Sequence, residues 1–132
     1  MDAYMRNHEG YPDPTAGAAI RSAMNVGFMP VVYICSPYSG DIAGNTKKAR
    51  RYCRYAVDEG FIPVAPHLMF PNFMSESERN LIMHMDLVLL TKCKELWICG
   101  DEITEGMKIE IERARGRDMT IRQIKEDFIC SR

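Results

Sequence analysis

Residues 31–35 read VVYIC, and this short run decides the fold. Five consecutive apolar residues, most of them β-branched or aromatic, are typical of a strand that is buried on both faces of a sheet. Residues 36–44, SPYSGDIAG, follow as a loop with two glycines and one proline. A helix is predicted over residues 45–59, because apolar side chains recur there at helical spacing, and Gly60 is placed to end it.

The alternation of strand and helix continues to the end of the chain. Further strands are predicted at residues 61–65, 95–99 and 119–122. One helix is predicted from a cap at Ser75 or Ser77 to about residue 90, and another from a cap at Thr104 to about residue 115, where Gly116 ends it. The tail has a marginal helical pattern. Strands separated by helices are joined by right-handed crossovers and form a parallel sheet. The predicted fold class is therefore α/β, a flavodoxin- or Rossmann-like parallel sheet of four to five strands with helices on both faces.

The length of 132 residues predicts one domain preceded by a short arm. Residues 1–29 are rich in turn formers and weakly apolar, and we interpret them as an N-terminal arm. Residues 30–132 carry the alternating pattern and are predicted to form the α/β domain.

Composition and charge exclude several classes of protein. The net charge of −1 provides no basic field for nucleic acid or an anionic membrane. No apolar run approaches the roughly 18 residues that span a bilayer, so we expect a soluble, cytoplasmic protein. The five cysteines contain no CxxC pair, and the three histidines lack metal-ligand spacing. Neither a metal nor a cofactor is predicted.

Ligands of open parallel sheets bind outside the carboxyl ends of the strands, which directs attention to residues 36–44, 65–72 and 100–110. The first of these loops contains small residues, hydroxyls and free N–H groups that suit an anionic or sugar ligand. It matches neither the dinucleotide-binding pattern GxGxxG nor the P-loop pattern, so both of those classes are unsupported.

Two carboxylates interrupt apolar patterns. Glu110 falls three residues after Met107 and four before Ala114, on the apolar side of its predicted helix. Asp86 lies within the apolar run 81–90. Such a pair suits acid–base or nucleophilic chemistry, in which one carboxylate stays ionised and the other donates a proton. The alternatives are a Glu110 that reaches solvent at the edge of the stripe, and an Asp86 that pairs with a nearby lysine (Lys92 or Lys94) or caps a helix.

Together these motifs resemble a known superfamily. Tyr33 followed by Ser36-Pro37-Tyr38 resembles the opening signature of the nucleoside 2-deoxyribosyltransferase-like superfamily, and residues 104–114, TEGMKIEIERA, resemble its second signature. Asp86 and the strand before Gly100 are similar to its intervening block. Residues 66–68, 95–97 and 106–107 resemble an uncharacterised branch of that superfamily that is often carried by phages or prophages.

The resemblance implies an enzyme that cleaves or transfers an N-glycosidic bond. Glu110 matches the nucleophile that attacks C1′ of a 2-deoxyribosyl group, Asp86 the carboxylate that contacts or protonates the departing base, and Tyr33 the tyrosine beside the nucleophile. The implied substrate-binding residues are Ser36, Pro37, Tyr38, Ser39, Gly40, His67, Thr104, Gly106 and Met107. Relatives assemble into dimers or larger rings, so a homo-oligomer is expected.

The implied ligand is a small molecule, a 2-deoxynucleoside or its 5′-monophosphate. Thr104 occupies the position where nucleoside transferases tend to carry an aspartate and nucleotide hydrolases a serine. A hydroxyl at a helix start accommodates a phosphate that a carboxylate would repel, which favours the monophosphate.

Two other classes of function stay open on the sequence. One is a protein that binds a nucleotide or a nucleotide signal on the same fold without catalysis. The other is a structural or partner-binding module, which the N-terminal arm and the ten methionines favour.

Overall fold

Four parallel strands form the centre of the structure, a computed structural model that describes residues 27–130. They are β1 (Val31–Cys35), β2 (Ile62–Val64), β3 (Glu95–Cys99) and β4 (Thr120–Ile124), in the spatial order β2-β1-β3-β4. Every neighbouring pair is parallel, which confirms the predicted α/β class. The predicted arm lies almost entirely outside the described residues, and the division of the chain at residue 30 stays a prediction.

Helices cover both faces of this sheet, as the sequence predicts. The described residues form four helices, α1 (Ile42–Asp58), α2 (Arg79–Leu90), α3 (Glu105–Gly116) and α4 (Glu126–Cys130). Side chains of α1 and α4 pack in one apolar cluster with one face, and side chains of α2 and α3 pack with the other. Between β2 and α2 the chain forms three short 3-10 turns, Pro66–Leu68, Phe70–Asn72 and Glu76–Glu78.

The residues of β1 alternate between the two apolar clusters. Val32 and Ile34 pack on the side of α1, whereas Tyr33 and Cys35 pack on the side of α2 and α3. Successive side chains of a strand point to opposite faces, so a strand covered on both sides is apolar throughout. This alternation also decides which residues of β1 reach α3.

Helix α1 begins three residues earlier than predicted. Asp41 caps it, because its side chain accepts a hydrogen bond from the N–H of Gly44 at 3.1 Å. The loop after β1 is correspondingly shorter. At the other end of α1, Gly60 adopts a left-handed φ of +89° directly after the cap residue Glu59, where the sequence places it.

Several predicted boundaries in the remainder of the chain are wrong by a few residues. Strand β2 is limited to Ile62–Val64, and β4 extends to Ile124, two residues beyond its predicted end at 122. Gly116 was predicted to follow the end of α3, but it is the last residue of that helix. Asp118, two residues later, adopts the left-handed conformation with a φ of 54°. Within residues 27–130, no helix is both long and apolar enough to cross a membrane.

Candidate active site

A cavity of about 240 Å³ lies at the carboxyl edge of the sheet, on the face covered by α2 and α3. Its walls come from the loop after β1, the turns after β2, and the first two turns of both helices. This is the location that the parallel topology predicts for a ligand.

Helix α3 presents Glu110 to this cavity. Thr104 caps the helix, and its Oγ1 accepts a hydrogen bond from the N–H of Met107 at 3.3 Å. Six residues after Thr104, Glu110 is 8% exposed and shares the buried side of the helix with Ile111 and Ala114. The alternative of a glutamate that reaches solvent is therefore wrong.

Two donors from β1 contact the two oxygens of Glu110 separately. The hydroxyl of Tyr33 donates to Oε2 at 2.6 Å, and the thiol of Cys35 donates to Oε1 at 3.4 Å. Burial raises the pKa of the Glu110 carboxyl to about 7, and both hydrogen bonds oppose this rise because they stabilise the ionised form. The carboxylate is held in place and shielded from water.

Asp86 lies on α2 and lines the same cavity. Its Oδ1 atom is buried and has no hydrogen-bond partner among the described residues. Burial and the negative charge of Glu110 raise the pKa of Asp86 to about 7. No ion pair joins Asp86 to Lys92 or Lys94, so that predicted alternative is wrong.

The two carboxyl groups titrate as a coupled pair, because the charge on one disfavours the charge on the other. The hydrogen bonds distinguish their roles. Glu110 receives two donors and is favoured as the ionised member, whereas Asp86, with an unpartnered oxygen, is favoured as the protonated member. Near neutral pH this arrangement favours an ionised carboxylate on Glu110 beside a protonated carboxyl group on Asp86.

A neutral histidine also lines the cavity. Nε2 of His67 lies 3.1 Å from Oγ of Ser36, and the ring of Tyr38 lies 5.6 Å from the imidazole. Burial lowers the pKa of His67 to about 4, so the ring is uncharged at neutral pH. The pair orients a buried hydroxyl at the end of β1.

Most of the residues that the sequence suggests meet in this cavity. The lining includes Ser36, Tyr38, Ser39, His67, Asp86, Thr104, Gly106, Met107 and Glu110. Tyr33 stands behind Glu110 and contacts it from the sheet. Pro37 and Gly40 are not part of the lining.

Sequence reasoning missed the contribution of the segment that leads into α2. The additional lining residues are Pro66, Pro71, Met74, Ser75, Glu76, Arg79, Ile82 and Met83, and Cys35 contacts Glu110 from β1. One signal was available for Arg79: a cation in the first turn of a helix opposes the helix dipole. Within the described part of the chain, the side chain of Arg79 has neither a hydrogen bond nor an ion pair, and Arg79 is the one arginine or lysine of the lining.

The donor set of the cavity is that of an acid–base site. Among residues 27–130, no group of three or more histidine, cysteine or acidic side chains is arranged to hold a metal ion. A buried ionised carboxylate and a protonated one suit displacement at a carbon that develops positive charge.

The fold has a counterpart among solved structures. It is similar to a 2-deoxyribosyltransferase from the psychrotolerant bacterium Bacillus psychrosaccharolyticus, with a TM-score of 0.53, 18% sequence identity and 72% of each chain covered. No curated protein matches the sequence. The chain is thus an α/β protein with the fold of that transferase. It belongs to the family described as Domain of unknown function (DUF7768), whose model matches residues 30–124.

Proposed function

We propose that this protein cleaves or transfers the N-glycosidic bond of a 2-deoxynucleoside or its 5′-monophosphate, with Glu110 as the nucleophile. The observation that carries the proposal is the buried carboxylate of Glu110, held by two donors beside Asp86 in a cavity at the carboxyl edge of the sheet. The resemblance to the nucleoside 2-deoxyribosyltransferase-like superfamily and the shared fold support it.

The first step forms a glycosyl ester. Ionised Glu110 attacks C1′ as the bond between C1′ and the base nitrogen breaks, and Asp86 gives its proton to the departing base. Positive charge develops on the sugar in the transition state, and the fixed carboxylate of Glu110 stabilises that charge.

The second step releases the sugar. Water or a second base attacks C1′, loses a proton to the Asp86 carboxylate, and displaces the Glu110 oxygen with the electron pair of the ester bond. Two displacements at C1′ retain its configuration. Water gives hydrolysis, whereas an acceptor base gives transfer.

The polar groups at the cavity mouth favour the monophosphate over the free nucleoside. Because Oγ1 of Thr104 accepts from Met107, its own proton is available for a ligand oxygen. Ser39 adds an exposed hydroxyl, and Arg79 adds a positive charge. These groups suit a phosphate, which the negative charge of Glu110 alone would repel.

A homo-oligomer and a cytoplasmic location belong to the same proposal, as does membership of the branch often carried by phages. Exposed apolar side chains on the outer sides of α2 and α3 support self-association: Leu81 is 51% exposed, Val88 46% and Ile109 47%.

The test is incubation with a mixture of deoxynucleosides and deoxynucleoside 5′-monophosphates, with and without acceptor bases. Mass spectrometry is expected to show release or exchange of a base by the wild type. We expect Glu110→Gln, which keeps an acceptor for Tyr33, to lower turnover by about 10³-fold or more, because it removes the nucleophile. Thermal shifts measured in parallel should show that the variant still binds its ligand. Ligand binding without any turnover by the wild type would instead assign a nucleotide-binding protein, and no binding at all a partner-binding module.

A further inference from the structure

Cys35 ends β1 beside the carboxylate of Glu110. Its side chain is 0% exposed, and its thiol has two acceptors within reach: Oε1 of Glu110 at 3.4 Å and the carbonyl of Met107 at 3.9 Å. Tyr33 and Cys35 are two residues apart on one strand, so both side chains project from the same face towards α3. The strand thereby supplies a separate donor to each oxygen of one carboxylate.

The two donors differ in strength. A phenol hydroxyl at 2.6 Å from an ionised oxygen forms a short, charge-assisted hydrogen bond, whereas a thiol is a weak donor. The bond from Tyr33 withdraws more electron density from Oε2 than the thiol withdraws from Oε1. The carboxylate is thus held on both sides, and Oε1 is the less strongly hydrogen-bonded of its two oxygens.

We propose that Cys35 is a positioning residue that orients Glu110 so that Oε1 attacks the substrate. This inference rests on the proposed function and assigns the attacking atom within it. A thiol suits the position because it contacts Oε1 at 3.4 Å while its weak donation leaves that oxygen reactive.

The thiol acts here as a donor and not as a nucleophile. Burial and the neighbouring Glu110 charge raise the pKa of Cys35 well above its usual range, so the thiol stays protonated at neutral pH. The sulfur is also fully buried, which keeps it from oxidants.

The other polar groups around Glu110 do not duplicate this contact. Asp86 faces it from α2 as a carboxyl group, and His67 stands neutral on the wall formed by the turns after β2. Arg79 and Glu76 lie at the rim, near the start of α2. Within the described residues, the donors that reach the Glu110 carboxylate belong to β1.

The experiment compares Cys35→Ala with Cys35→Ser. Alanine removes the donor and leaves Oε1 buried without a partner, which destabilises the ionised form of Glu110. The acid limb of the pH profile of kcat/KM should therefore shift to higher pH by roughly 0.5 unit or more in the alanine variant. The serine variant keeps a donor, so its acid limb should lie within roughly 0.2 pH unit of the wild-type limb or at lower pH.

A second measurement does not depend on turnover. The ¹³C resonance of the Glu110 carboxyl carbon, assigned by its loss in Glu110→Gln, should titrate in the same order across the variants. Cys99→Ala is the matched control, because Cys99 is 1% exposed in the opposite apolar cluster and donates to the carbonyl of Trp97. It should lose stability without moving either titration.

The outcomes separate the two proposals. Turnover by the wild type with an unmoved acid limb in Cys35→Ala, or with equal shifts in both Cys35 variants, overturns the role of Cys35 and leaves the proposed function intact. Absence of turnover in the wild type overturns the proposed function and, with it, the attack by Oε1. The carbon titration then still decides whether Cys35 donates to Glu110.

Discussion

Arg79 contributes a positive charge to a cavity that is also lined by the carboxyl groups of Asp86 and Glu110. It precedes Asp86 by seven residues, or two turns of α2, which places it about 10 Å nearer the helix start. From this position near the helix start, the long side chain of Arg79 can contact the phosphate of a bound monophosphate while its sugar lies beside Glu110. Arg79 and Thr104 are thus the residues that support the monophosphate substrate we propose.

We expect Arg79→Ala to lower kcat/KM for deoxynucleoside monophosphates by about 5–10-fold and to leave deoxynucleosides almost unchanged. The modest size reflects the exposure of Arg79, since water screens part of its attraction for phosphate. Steady-state kinetics on matched substrate pairs provides the measurement. Arg113→Ala, which removes an exposed arginine from the last turn of α3, is the control. Equal losses on both substrates would contradict a phosphate-binding role.

The sequence indicates Glu110 more strongly than Arg79 for a physical reason. Glu110 lies among apolar residues at helical spacing, so a charge there stands out from its own helix. Arg79 follows a polar stretch, Ser75 to Glu78, in which one more charge is ordinary. Its position at the cavity depends on how the turns between β2 and α2 pack, and local sequence patterns do not predict that packing.

At the level of elements, the connection after β3 depends on Gly100. This residue has a φ of +92°, and a Cβ added to it would lie 2.9 Å from the hydroxyl of Tyr52. Gly106, in the first turn of α3, adopts no such conformation, and an added Cβ would meet only Cε of Met83 at 3.6 Å. The two glycines thus form a matched pair on either side of the helix start.

We predict that Gly100→Ala destabilises the protein by about 1–3 kcal/mol, because the substitution combines backbone strain with a close contact. Gly106→Ala should be neutral or stabilising by up to about 1 kcal/mol, since alanine favours a helix. Urea unfolding of both variants at one pH measures the difference. A Gly100→Ala variant as stable as the wild type would show that the connection relaxes freely.

The strength of the local signal explains which elements could be predicted. The central strands β1 and β3 are found at their predicted bounds because both are continuous apolar runs. The start of α1 was displaced because the cap at Asp41 lies inside a stretch with glycine and proline, which sequence patterns assign to a loop. Strand β2 is shorter than its apolar run because only three of its residues pair with β1.

At the scale of the whole molecule, the strand order assembles the cavity. Strand β1 lies between β2 and β3, so the loops that follow these three strands meet at one edge. The sequence predicts parallel strands from their spacing. It does not predict their order, because pairing is decided by contacts between distant residues. The convergence of residues 36–39, 66–71 and 104–110 is therefore a property of the topology.

Burying two carboxyl groups in this cavity has a consequence for the stability of the entire fold. The pKa of Glu110 rises from 4.5 to about 7 on folding, and that of Asp86 from 3.8 to about 7. Between these values the native state binds more protons than the unfolded chain, so the free energy of unfolding falls as pH rises. His67 opposes this trend from about pH 4 to 6.5, because burial lowers its pKa and the native state there binds fewer protons.

Comparison of the wild type with Glu110→Gln measures the contribution of the Glu110 charge, including its effect on the pKa of Asp86, because His67 is common to both proteins. The two should be about equally stable near pH 4.5, where the native carboxyl is protonated and as neutral as the amide. By pH 8 the variant should be more stable by about 2–3 kcal/mol, since only the wild type then buries the charge of Glu110. Urea unfolding from pH 4.5 to 8 provides the measurement, and Glu112→Gln, an exposed neighbour on α3, is the control. A stability difference that does not grow with pH would contradict this prediction, because Glu110 would then titrate in the folded protein as it does in water. The cavity would in that case lack the electrostatic environment that a buried nucleophile requires.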